Sequence, residues 1–180
     1  FGLTAGASDV DITAMALQAL APYPDRCGRE IDQALGYLSN AQTIRGDFSN
    51  IGETSAESCA QVMIALCALE IDPRTDDRFV KAGGNVLDGL LLYRTDTGAF
   101  CHSLEDEANL LATVQANLAL CALERMDAGK TRLYDFTDIS LQTYTPEQGV
   151  LLYGICAAGI LLVVGFVIFW VRKGRNACMK

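Results

Sequence analysis

One Trp, one His and four Pro in 180 residues set the first limits on this chain. A single His cannot build a multi-imidazole zinc site, and no Cys-x-x-Cys pair offers the thiolate spacing of a structural one. Basic charge is also scarce, with 14 Lys and Arg against 22 Asp and Glu for a net charge of −8. All 22 acidic residues and 10 of the basic ones lie within residues 1–148, which leaves that part at −12. A phosphate-binding face needs a basic field, so nucleic acid is excluded as a partner. No GxGxxG, P-loop, nucleophile elbow or Cys-Gly-Glu-Gln thioester signature occurs. No segment alternates apolar and polar residues for long enough to make a strand. There is no initiating Met and no charged n-region with a cleavable apolar segment, so the chain reads as the C-terminal part of a longer protein.

Hydrophobic residues make up 51% of the chain, which excludes a disordered one. They concentrate towards the end, where no charged residue occurs from Gln148 to Val171. The run over 149–171 is long enough to cross a hydrocarbon core of about 30 Å as a helix. Tyr153 and Trp170 near its two ends suit the membrane interfaces. Arg172, Lys173 and Arg175 follow it and place the C-terminus in the cytoplasm by the positive-inside rule. The expected layout is a helical domain over 1–140, a linker over 141–148, a transmembrane helix over 149–171 and a basic cytoplasmic tail over 172–180. That puts the protein in the cell membrane as a single-span protein, with the bulk of the chain outside.

The first 140 residues repeat. Ala16-Leu17-Gln18-Ala19-Leu20 recurs 49 residues later as Ala65-Leu66-Cys67-Ala68-Leu69, and again 54 residues on as Ala119-Leu120-Cys121-Ala122-Leu123. Gly46-Asp47-Phe48 recurs 52 residues later as Gly98-Ala99-Phe100. A period near fifty shared by two elements marks a repeated supersecondary unit. Residues 54–70 and 107–125 are apolar on nearly every face, as enclosed helices are. The segment from Ile31 to Leu38 carries a single apolar stripe, and Val86, Leu87, Leu90 and Leu91 form another. Alternating enclosed and half-exposed helices predict two concentric layers of an all-α domain. Helix starts are expected at Asp9 or Asp11, at a Thr54–Glu57 capping box and at Asn85–Asp88.

Two motifs carry a resemblance. Tyr37-Leu38, Gln42, Gly46 and Phe48 match the spacing of the QW repeat of squalene–hopene cyclases, with Phe in place of Trp. Asp9-Val10-Asp11-Ile12-Thr13-Ala14 resembles the DxDD-T-A helix start of the same enzymes, with Ile12 where the second adjacent Asp would stand. The chain therefore resembles the prenyltransferase and squalene-cyclase repeat superfamily over roughly residues 5–140. It is most similar to exported proteins of Gram-positive bacteria that carry such repeats. The resemblance implies about half of an α/α toroid built of helical hairpins.

Chemistry is thinly represented. Asp11 stands where the cyclases place a proton donor, and Asp9 is the only other candidate for a catalytic role. Proton donation needs a carboxylic acid kept protonated by an apolar cavity and neighbours that steady its conjugate base. Ile12 removes one such neighbour, and residues 1–148 contain no Trp to face a carbocation. The competing reading makes both aspartates helix-start residues. Gln42 is expected to bond backbone at a helix end while Phe48 packs between hairpins. Cys67 and Cys121 read as small apolar fillers, a Cys27–Cys101 disulfide is possible, and Glu105-Asp106-Glu107 reads as the charge complement of the helix that follows. No metal site and no cofactor are predicted.

The function these readings favour is a membrane-anchored, extracellular, non-catalytic module. It would bind a small apolar or corrinoid-like ligand, a glycan or another surface protein. The rivals are an enzyme, either a terpene cyclase using Asp11 or a zinc prenyltransferase, and a structural spacer of a surface adhesin.

Overall fold

Each long helix begins at a side chain that accepts a backbone N–H or at a proline, and these starts set the element order. The computed structural model describes residues 1–140: helix α1 (Val10–Leu20), α2 (Pro24–Ala41), strands β1 (Ser49–Asn50) and β2 (Glu53–Thr54), then α3 (Ala56–Ala68), α4 (Val86–Leu91) and α5 (Leu110–Asp127). The Asp9 carboxylate accepts from the Ile12 amide at 2.9 Å, and Asn109 accepts from Leu111 and Ala112 at 2.8 and 3.1 Å. Asn85 and Asp88 form the reciprocal box expected of them. At α3 the cap is Ser55, which accepts from the Ser58 amide, so the expected Thr54–Glu57 start is displaced by one residue.

Helices α1, α3 and α5 hold the three Ala-Leu-x-Ala-Leu motifs and lie in a row with α3 in the middle. Helix α2 packs against α1, and α4 against α3. Every residue from Val62 to Cys67 is buried, so α3 is enclosed as its composition predicts. Helix α2 buries Ile31, Ala34, Leu35 and Leu38, the single stripe read from the sequence. The joint between repeats is backbone against backbone. A Cβ on Gly89 of α4 would lie 2.3 Å from the Gly46 carbonyl carbon, so both glycines are needed for the Gly46 turn to sit on α4. Gln42 locks the same joint, its amide donating to the carbonyls of Gly46 at 3.1 Å and Phe79 at 2.9 Å. Phe48 pairs across this turn with Gln42, Phe100 across the equivalent turn with Arg94, and both rings are buried.

Three expectations need correction. The domain is not all-α, because Ser49–Asn50 and Glu53–Thr54 pair as a small antiparallel sheet. Two-residue strands are too short to show alternation. Their turn also places Ile51 and Gly52 at φ of 52° and 90°, where an Ile gives no sequence signal for a hairpin. No helix among the described residues is long and apolar enough to cross a membrane. The span expected over 149–171 lies outside those residues, as do the whole 141–148 linker and the tail. Finally, α5 is not enclosed: Leu110, Leu111 and Val114 are 82, 59 and 48% exposed, and Leu120 is only partly buried. Helix α5 has α3 on one side, and among the described residues nothing covers the other. Residues 1–138 form one compact unit.

Candidate functional site

The N-terminal ends of α1 and α3 bring together the two aspartates singled out by sequence. Asp9 caps α1, and its second carboxylate oxygen accepts from the Asn50 amide at 3.2 Å. Asn50 also receives the Val10 amide at 3.3 Å and reaches Asp11 at 3.5 Å. The β1–β2 hairpin thus exists where Asn50 must fasten α1 to the segment leading into α3. Asp11 does not cap its helix. One of its carboxylate oxygens is buried with no hydrogen-bond partner. Burial holds the Asp11 carboxyl above the usual carboxylate range; the Ser58 hydroxyl pulls it back, and the charges of Asp9 and Glu57 add to the rise.

Glu57 completes the cluster from the first turn of α3, with its carboxylate 2.9 Å from Nδ1 of His102. The His102 carbonyl accepts from the Ala56 amide at 3.1 Å, which fixes the 101–105 loop over the same helix end. Beside it opens a shallow cavity of about 360 Å³ lined by Glu53, Thr54, His102, Ser103, Leu104 and Glu105. Glu53 and Glu105 bring two carboxylates to this mouth, beside the hydroxyls of Thr54 and Ser103. Among the described residues no three His, Cys, Asp or Glu side chains converge in a way that could hold a metal ion.

A cavity of about 440 Å³ lies at the other end of α3 and α5, among Cys67, Met126, Lys130, Arg132 and Asp135. It is remote from Asp9 and Asp11, and no reading of the sequence pointed to it. Thr131, one of its lining residues, is bonded by Arg125, which also pairs with Asp138 at 2.9 Å. Neither of the two buried side-chain oxygens left without a partner among the described residues, on Asp11 and Gln42, belongs to a residue lining it.

Other sequence candidates divide. Cys27 and Cys101 are both free thiols, so the possible disulfide is absent; Cys101 donates to the Tyr93 carbonyl at 3.1 Å instead. Cys67 is buried, and burial pushes its thiol up to about 12, whereas Cys121 at the equivalent repeat position is exposed. Glu105-Asp106-Glu107 lies outside α5, whose first turn has no acidic residue; Asp106 accepts from the Ser103 amide and closes a turn. Sequence reasoning missed Asn50 and also missed a third copy of the phenylalanine element. The Phe1 carbonyl accepts from the Asp9 amide and the Thr13 hydroxyl, as the Phe100 carbonyl accepts from the Asn109 amide and the Thr113 hydroxyl. The signal was a Phe seven to nine residues before each cap, at Phe1, Phe48 and Phe100.

No protein-family model matches the chain, and no curated protein or solved structure matches it either.

Proposed function

We propose that the chain is a non-catalytic binding module displayed at a cell surface, of the repeat superfamily its motifs resemble. Its ligand is rich in hydroxyl donors, as a glycan is, and sits at the N-terminal ends of α1 and α3. The observation that carries this reading is the Asp11 carboxylate oxygen, buried without a hydrogen-bond partner in the first turn of α1. An unmet buried acceptor costs about 1–3 kcal/mol, and a ligand hydroxyl arriving there would recover part of that cost. His102 and Asn50 can supply the mixed donors and acceptors that a sugar ring also needs. Titration calorimetry of the full chain against neutral oligosaccharides tests the reading. Asp11→Asn should weaken binding by about tenfold, the loss of one good hydrogen bond to a charged group. A wild-type chain that binds none of the panel overturns it.

The raised Asp11 carboxyl favours one second reading, that of an acid catalyst acting on an apolar polyprene. Incubation with squalene and shorter polyprenes separates the two. Cyclised products that vanish in Asp11→Asn replace the binding module with an enzyme.

A further inference from the structure

Helix α3 leaves one narrow stripe uncovered, and on it Gln61 links its two neighbours. The Gln18 amide of α1 donates to Oε1 of Gln61 at 3.0 Å, and the Gln61 amide donates to Oε1 of Gln115 on α5 at 3.0 Å. The donors run in chain order across the row. The ladder therefore stops with unlike ends. Among the described residues, the Gln115 amide donates to nothing and Oε1 of Gln18 accepts from nothing.

Both flanks of the row are apolar beside those ends. On α5, Leu111 and Leu118 lie one turn either side of Gln115, and Leu110 and Val114 continue the open face. On α1, Met15 sits beside Gln18 and is 54% exposed, with the small side chains of Ala16 and Ala19 behind it. One flank is bulky and the other is largely small. Within the chain, α5 meets α3 through a stripe of Ala112, Ala116 and Ala119, so close helix contact over alanines is already how this row is built.

We propose that the occupant of the open α5 face is α1 of a second copy of this chain, continuing the row and its glutamine ladder. The Gln115 amide then donates to Oε1 of Gln18 in the second copy, while Leu111, Val114 and Leu118 cover the Met15, Ala16 and Ala19 face. The contact is heterologous, because two different surfaces meet, so assembly either closes into a ring or runs on. It uses neither Asp11 nor the N-terminal mouth and is independent of the ligand reading.

Sedimentation of the full chain, held in mild detergent because of its apolar 149–171 run, tests this. The wild-type chain should sediment as two copies or more. Val114→Glu and Met15→Glu each place a charge on an exposed position, so each should keep the helical circular dichroism of the wild type while associating at least about tenfold more weakly. Leu110→Glu, at the most exposed position of the face, replaces Val114→Glu if the latter loses helicity. The decisive sample is a mixture of the two variants. Each retains the face that the other lacks, so pairs should return on mixing. Three results overturn the proposal: a monomeric wild type, association indifferent to both variants, or a mixture that stays as monomeric as its components.

Discussion

Asp9 and Asp11 are two residues apart, and the fold uses them in opposite ways. Asp9 accepts a helix amide and the Asn50 side chain, so its charge is met. Asp11 is drawn into the protein with one oxygen unmet, and burial raises its carboxyl above the ordinary 3.8. A raised folded-state value means the protonated acid fits the fold better than the carboxylate. Its contribution to stability is full below the unfolded value and is lost as pH rises through the folded one. Asp11→Asn, which carries no charge, should therefore raise Tm at pH 7 by about 1–3 °C and give no gain below pH 3.8. Melts of the full chain at the two pH values check this, and a Tm lowered at neutral pH would mean that the carboxylate is held by partners after all. The sequence could offer both aspartates as helix-start residues because Asp is a good cap. It could not say which one caps, because that depends on Asn50, forty-one residues from Asp9, and on the hairpin that carries it.

Hydrophobic periodicity reports what a helix could bury, not how many neighbours it has. That distinction separates α3 from α5. Both were read as enclosed, yet α3 is flanked on two sides and α5 on one. Leu66 and Leu120 occupy the same place in the repeated motif, and only Leu66 is fully buried. Leu66→Ala should then cost about 2–5 kcal/mol through lost transfer energy and the cavity left behind. Leu120→Ala should cost about half that or less, since part of its surface is already in water. Urea unfolding of the two variants measures the difference, and equal losses would mean that α5 is as enclosed as α3. The single stripe of α2 was legible for the converse reason. A helix with one apolar side has only one way to face a core. On α4, by contrast, Val86 and Leu90 are buried but Leu91, expected in the same stripe, is 40% exposed. The strands were illegible because two residues show no period.

At the scale of the molecule, the repeat was the most legible feature, because a unit copied three times needs the same apolar and turn residues each time. What the repeat does not encode is how the C-terminal ends of neighbouring helices are tied together, and there the chain uses charge. Arg74, in the loop after α3, pairs with Asp72 at 2.9 Å and with Asp127, the last residue of α5, at 2.6 Å. The Arg74 guanidinium holds the Asp72 carboxyl below its ordinary value, and Arg78 does the same for Asp76. Depressed carboxylates work in the opposite sense to Asp11. Their stabilisation is present above the unfolded value of 3.8 and is lost as pH falls through the lower folded one. The full chain should accordingly lose Tm as it is acidified below pH 3.8. Arg74→Gln frees both Asp72 and Asp127, so it should lower Tm at pH 7 by about 1–3 °C, a modest shift because all three groups are at least a third exposed. The gap between variant and wild type should narrow to nothing in acid, where the aspartates are protonated in both. It should also shrink in high salt, which screens exposed pairs. A gap that persists unchanged at low pH would assign Arg74 to packing of the α3–α5 end instead of to its charges.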